Sequence, residues 1–263
     1  MTALQTQYSK EIAKALGKIA VYLPGEAVRV GDIITFPYGR TGIFNRKAPL
    51  GTFKKITSLK HLGIDHNIPR FSKTPDTYQF TSQKSVAIDY DLGAEADLGA
   101  DTLPGGKGKL NIRFSAVGGI YFLAIDCDKK EFGDITFLEK EINSKGKKLL
   151  WQDTYLVTSV TIAKKALIAI SRSKTSELVV EGNIKGIQSG PAAINANTVL
   201  HIKKQKGNIF IKDWSDDVTV FMDLMKFEKE LFEAETYRST NPPDTGSTEK
   251  IVLKPVAITA LLD

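Results

Sequence analysis

Over residues 85–125 apolar side chains stand at every second position. Val86, Ile88, Tyr90, Leu92, Ala94, Ala96, Leu98 and Ala100 alternate with a set that includes Asp89, Asp91, Glu95, Asp97 and Asp101. After a Pro/Gly-rich stretch at 102–108 the alternation resumes at Leu110, Ile112, Phe114, Ala116, Ile120, Phe122 and Ala124, with Lys109, Asn111, Arg113 and Ser115 between. Side chains two apart share one face of a strand, so the pattern predicts a hairpin whose first arm is apolar on one face and acidic on the other. Each arm outruns the ~5–6 residues usual for a strand and is long enough for the ~9–11 that a tilted strand needs to cross a bilayer. Two readings follow: a half-buried antiparallel pair in a globular sheet, the usual cause of alternation, or a membrane hairpin stored within such a sheet.

A chain of 263 residues with 42% hydrophobic content buries a sizeable core as one large or two modest domains. Its formal charge of +6 and pI near 9.1 favour acidic partners, anionic lipid or nucleic acid, although a Lys excess equally makes a solvated surface. Cys127 is the single cysteine, so no intramolecular disulfide forms. No apolar run approaches the ~18 residues of a membrane helix. Lys10, Glu11 and Lys14 interrupt what would be the core of a signal peptide. The expectation is a protein that is soluble and cytoplasmic when made.

At the start of the chain Leu4, Tyr8, Ile12 and Leu16 recur every four residues, with Lys10, Lys14 and Lys18 elsewhere and Gly17 as a stop. This predicts an amphipathic helix that docks on its own sheet or lies on anionic headgroups. Residues 19–36 read as strand, broken at Pro24-Gly25. Around a turn at 39–42, Arg40, Arg46, Lys47, Lys54 and Lys55 mingle with Phe36, Tyr38, Phe44 and Phe53. A basic aromatic loop suits a lipid interface, a single-stranded nucleic acid or plain solvent. Residues 57–63 are expected as a short helix and 65–81 as turn-rich. Asp134 caps a helix carrying Ile135, Leu138 and Ile142, which ends in the basic run 145–148. From 154 to 172 alternation returns through Leu156, Val160, Ile162, Ala166, Ile168 and Ile170. A turn at 173–176 into 177–187 makes a second long hairpin, and a tighter turn at Lys164-Lys165 makes short strands instead. Two strands are expected at 198–203 and 208–213. Ser215 or Asp216 then caps a helix to Tyr237 bearing Val218, Phe221, Leu224, Met225, Phe227 and Phe232. Residues 239–250 have linker composition. The apolar residues of 251–263 dock on the body as a strand or clasp.

Enzyme chemistry is not expected. His61, His66 and His201 form no ligand pattern with Cys127 or a spaced carboxylate. Gly105, Gly106 and Gly108 join two strands instead of opening a helix on a phosphate. Asp126 and Asp128 lack a partner constellation. No catalytic residue, metal or cofactor is assigned.

Two long hairpins separated by a helix, a basic amphipathic helix at the start and a detachable apolar tail together resemble the gasdermin family. Locally, Tyr155-Leu156-Val157-Thr158-Ser159-Val160 is similar to the Tyr-Val-Val-Thr-Glu segment of animal gasdermins, and residues 194–202 look like the apolar stretch after their second hairpin. The resemblance is one of layout over most of residues 1–238. It implies an α+β fold: a twisted, mainly antiparallel sheet with two long β-hairpins and flanking helices, one N-terminal and amphipathic, one C-terminal. It also implies binding to acidic phospholipid membranes, assembly of a homo-oligomer, and a large β-barrel pore in a cell-death or defence response. On this reading the first membrane-inserting hairpin carries Val86, Ile88, Tyr90, Leu92, Leu98, Leu110, Ile112, Phe114, Ile120 and Phe122. The second carries Leu156, Val160, Ile162, Ile168 and Ile170. Headgroups meet Lys10, Lys14, Lys18, Arg46, Lys47, Lys54 and Lys55. Residues 1–238 form the pore-forming domain, 239–250 a linker with Arg238 and Lys250 as candidate cleavage points, and 251–263 a tail that inhibits or completes the fold. Activation falls to a protease or partner protein, nucleic acid is not a partner, and the protein moves from cytoplasm to membrane. The chain carries no folded repressor domain of the animal kind, so it looks closer to small bacterial and fungal members. It lacks the N-terminal cysteine that bacterial members lipidate. The competing reading is a soluble β-rich binding or structural assembly protein, such as a phage or secretion-system component.

Overall fold

The computed structural model describes residues 2–21, 28–36, 53–72, 76–82, 85–91, 108–145, 154–182, 200–232, 248–258 and 261. Among these residues two helices, α1 (Thr2–Leu16) and α2 (Ile135–Lys145), accompany fourteen strands. The first seven are β1 (Ile19–Ala20), β2 (Asp32–Thr35), β3 (Lys54–Ser58), β4 (Arg70–Phe71), β5 (Asp76–Thr81), β6 (Val86–Asp91) and β7 (Gly108–Phe114). The rest are β8 (Ile120–Glu131), β9 (Tyr155–Ser171), β10 (Ser176–Gly182), β11 (Leu200–Lys206), β12 (Ile209–Trp214), β13 (Val218–Phe232) and β14 (Thr248–Pro255). Ten strands form a large sheet around β9, and four form a small sheet in the order β11-β10-β7-β6. All twelve described pairings are antiparallel. The fold is α+β and mostly antiparallel sheet.

The helices form where capping and periodicity agree. Asp134 Oδ1 accepts the Phe137 backbone N–H at 2.8 Å, and Leu138 and Ile142 are buried on one side of α2. Gly17 ends α1 at a φ of +61°, its N–H donating to Ala13 O at 3.1 Å. The buried face of α1 sets Tyr8 and Ile12 on the large sheet. There Tyr8 meets Phe122 with ring centroids 6.1 Å apart, in a cluster with Ile120, Ala124, Ile168 and Phe221. The other face of the same strands packs on the small sheet. Tyr121, Leu123, Ile125, Leu167 and Ala169 meet Leu110, Ile112, Phe114, Leu178 and Val180.

Four expectations are corrected. Residues 218–232 form a strand, not the C-terminal helix. β13 is buried on both faces, with Val220 and Phe221 in one cluster and Met222 and Leu224 in another, so period two is lost. Register shifts at Thr219/Phe221 and Asp223/Leu224 turn what remains into a helix-like spacing. Residues expected as a short helix at 57–63 are the end of β3 followed by turns, with Gly63 at a φ of +64°. Ile120 and Phe122 do not continue the arm of Leu110, Ile112 and Phe114. The chain reverses at 115–119, and both face α1 from the large sheet. Finally β9 and β10 do not pair. Leu156, Val160, Ile162, Ile168 and Ile170 lie in β9 at the heart of the large sheet, and β10 pairs with β7 and β11.

Candidate functional site: a four-stranded sheet folded back on its own continuation

Each strand of the small sheet is joined to one of the large sheet by a short connection: β5 to β6, β7 to β8, β9 to β10 and β11 to β12. In the large sheet β8 pairs with β5 and β9, and β9 with β12. The order β5-β8-β9-β12 therefore matches β6-β7-β10-β11 strand for strand. Four long strands are in effect creased together and doubled over. At the opposite end, Asp91 pairs with Lys109, and Gly182 faces both Gly108 and Leu200. The strand ends Asp91, Gly108, Gly182 and Leu200 thus lie side by side.

The crease is built from Ser and Gly because four chains must turn in a confined space. Gly118 sits at a φ of +82°, and a Cβ there would stand 2.5 Å from the Gln7 amide. Gly207, also at +82°, would set a Cβ 2.7 Å from Thr175 O. Ser171, Ser173 and Ser176 bond one another through their hydroxyls, at 3.0 Å between Ser171 and Ser176 and 2.7 Å between Ser173 and Ser176. Helix α1 reaches the crease with two side chains. Gln7 Nε2 donates to Gly118 O at 3.1 Å, and Ser82 Oγ donates to Glu11 Oε2 at 2.6 Å.

The inner face of the small sheet carries the residues expected of the first hairpin. Leu110, Ile112 and Phe114 are buried, and Val86, Ile88 and Tyr90 pack against them. Leu92 and Leu98 lie outside the described residues. The outer face carries charge in columns: Asp89 and Asp91 on β6, Lys109 and Arg113 on β7, Glu177 and Glu181 on β10, Lys204 and Lys206 on β11. Arg113 bridges Asp89, Lys203 bridges Glu181, and Lys204 lies 3.9 Å from Glu177. This face is of mixed sign, with the acids of the first arm on β6 and the bases of the second on β7. The second hairpin is β10–β11, with Leu178 and Val180 buried inside it.

The expected lipid-facing bases are not gathered into one patch. On α1 Lys14 is exposed and Lys10 half-buried, and Lys18, just past the helix, is half-buried. Lys54 is exposed on β3, whereas Lys55 reaches back 2.7 Å to the buried carboxylate of Asp32. Arg46, Lys47 and Arg238 lie outside the described residues, as does 239–247 of the expected linker. Residues 248–250, Lys250 included, belong to β14. That strand is held from both sides, by β13 and by α2. Asn143 Nδ2 donates to Ile251 O at 2.7 Å, its Oδ1 accepts from Ile251 N at 2.8 Å, and Glu139 Oε1 accepts from Leu253 N at 2.8 Å. Lys254 adds a 3.0 Å bridge to Glu228.

Sequence reasoning missed the crease and the alternating charge columns. The signals were the doublet Gly118-Gly119 and the Ser-rich run 171–176, each of which breaks an alternating stretch. Among the described residues no group of three or more His, Cys, Asp or Glu is placed to hold a metal ion. Neither described helix is long and apolar enough to cross a membrane, which says nothing of strands.

The geometry defines an antiparallel two-sheet α+β fold with a doubled-over four-strand unit. No protein-family model matches the sequence, and no curated protein matches it significantly. Among solved structures the chain is similar to a bacterial gasdermin from Bradyrhizobium tropiciagri, at 13% identity over 95% of this chain and 90% of that one, with a TM-score of 0.36. It is also similar to the gasdermin A3 membrane pore, at 7% identity over 93% and 97%, with a TM-score of 0.31. At these scores neither superposition bears weight, and the creased sheet itself carries the functional reading.

Proposed function

We propose that the protein is a pore-former that binds acidic membranes, assembles with copies of itself and permeabilises the bilayer by opening the crease. The observation that carries this reading is the strand-for-strand match across the crease. Straightening four connections turns a doubled sheet into two long antiparallel hairpins without any strand changing neighbours. In water the inner face must be covered, and the large sheet covers it. Five fully buried side chains there, at ~1.5–3 kcal/mol each, make separation in water cost on the order of 10 kcal/mol. In a bilayer hydrocarbon takes over that role, and strand edges are satisfied only if neighbouring copies close a barrel. The bases on α1 supply first contact. On this account the protein rests in the cytoplasm and moves to the membrane in a defence or cell-death response.

The C-terminal strand is the proposed restraint. β14 covers the edge of β13 and is itself covered by Asn143 and Glu139, so cutting within 239–247 frees a short segment whose effective concentration collapses once it is untethered. The test is dye release from anionic liposomes by the intact chain beside a chain ending at Tyr237. Release by the shortened, folded protein at a clearly higher rate is expected. Equal rates would remove the restraint, and release by neither would remove the pore. A soluble assembly protein would give the last result, together with stable oligomers in solution.

A further inference from the structure

Away from the crease the two sheets do not close fully on each other. A cavity of about 480 Å³ opens between them, walled by Leu123, Ile125 and Leu167 of the large sheet and by Val180, Leu200 and Ile202 of the small one. Ile202 pairs with buried Val180 and so shares its inner face, yet it is 41% exposed. Exposed apolar surface rimmed by polar groups marks a binding site, and this volume lies within the ~300–1,000 Å³ of small-molecule sites. The rim supplies the polar groups. Asp213 stands opposite Leu167 of β9 and therefore on the side of the apolar wall, and Asp216 follows in the turn before β13. Both are exposed. Among the described residues no hydrogen bond or ion pair engages either side chain, whereas Lys165, the lysine of the lining, already has an interaction. The rim thus offers two carboxylates to an incoming cation.

We propose that this cavity binds a small molecule with a compact apolar body and a protonated amine, the body lying between the sheets and the ammonium on Asp213 and Asp216. Apolar walls take up the body without regard to its detail, and the carboxylates fix its direction and select its charge. Because the walls belong to both sheets, the site exists only while the crease is shut. A ligand that binds one of two states favours that state by one plus the ratio of its concentration to its Kd. Such an amine is therefore a brake on opening. The brake rests on the pore reading, whereas binding belongs to the resting fold alone.

Adamantane carrying an aminomethyl, a hydroxymethyl or a carboxylate group tests this with one body and three heads. Calorimetric titration of the intact chain near pH 7 is expected to show saturable binding of the amine, at least about tenfold tighter than the alcohol, with the carboxylate weakest. Asp213→Asn with Asp216→Asn, both at exposed positions, is expected to bring the amine to the alcohol's level and to leave the alcohol unchanged. Ile202→Trp fills the cavity from its rim and is expected to abolish binding of all three. Where it fails to fold by circular dichroism, Leu200→Phe carries the same test. At about ten times its Kd the amine is expected to slow dye release from anionic vesicles about tenfold in the wild type, and about twofold at most in the Asn variant. No saturable binding of the amine, equally tight binding of the carboxylate, or affinities that neither the Asn pair nor the filled cavity moves, overturns the site. Tight binding with release undiminished overturns the brake. Wild-type protein that releases no dye even without the amine overturns the pore reading and leaves the binding result standing.

Discussion

Asp32 is the one buried carboxylate among the described residues of the core, 3% exposed on β2 beneath the edge of the sheet. It accepts the Arg29 backbone N–H at 2.9 Å and the Lys55 ammonium at 2.7 Å. A charge so placed survives only because it is paired and hydrogen-bonded. Lys55→Ala is expected to cost about 1–2 kcal/mol, below the ~3–5 of a wholly buried pair because half of the Lys55 side chain meets solvent. Urea unfolding measures it, and an unchanged midpoint would refute the pairing. Cys127 presents the opposite case, a thiol that must stay neutral. Burial pushes it up to about 12, and the charges of Asp76, Asp126 and Asp128 push the same way. Folded protein is thus expected to react slowly with a thiol reagent at pH 8 and fully once unfolded. Since folding raises this pKa, its contribution is whole below the ordinary value near 9 and is lost as pH climbs from there toward about 12. Urea midpoints that fall from pH 8.5 to 10.5, and fall less in Cys127→Ala, are the expected result.

At the scale of elements the crease and the helix beside it form one device. α1 bonds the crease through Gln7 and Glu11, and it also carries Lys10 and Lys14, with Lys18 just past its end. Movement of α1 to a membrane surface therefore removes two hydrogen bonds from the fold line. Glu11→Ala is expected to speed the onset of dye release while lowering soluble stability by only about 1 kcal/mol, the usual worth of such a bond. Gly118→Ala places a Cβ in the left-handed region, a strain of ~1–2 kcal/mol that an extended strand would not feel. It is expected to lower the unfolding midpoint and quicken release together; a loss of stability with slower release would contradict the hinge. Elements buried on one side were legible in the sequence. β6 and β7 announce their shared face because Val86, Ile88, Leu110 and Ile112 are covered from one side only, and Asp134 announces α2. β13 was not legible, since burial on both faces and two register shifts erase its period. Nor was the turn at Ser173: a Ser-rich turn between alternating runs reads as a hairpin, and only the pairing of β10 with β7 reveals a crossing between sheets.

For the whole molecule the two sheets have different duties. On the proposed reading the large sheet, with α2, stays a folded body, and the small sheet is the part that leaves it. The formal charge of +6 on the whole chain favours anionic lipid on that reading. Each Lys near such a surface contributes up to ~1 kcal/mol. Sedimentation with anionic vesicles is expected to weaken as salt is raised from 50 to 500 mM, roughly as the Debye length shrinks from ~14 to ~4 Å, and binding equal to that of zwitterionic vesicles would contradict it.

The departure of the small sheet from the large one is measured most directly at Ile88, on its inner face. With Cys127→Ala and Ile88→Cys, an environment-sensitive fluorophore at 88 reports what covers that face. On anionic vesicles releasing their contents, the label is expected to be quenched by nitroxides carried within the lipid acyl chains and shielded from iodide in the water. Dye release with the label left unquenched by the acyl-chain nitroxides would mean that the sheets stay closed, and would contradict the account.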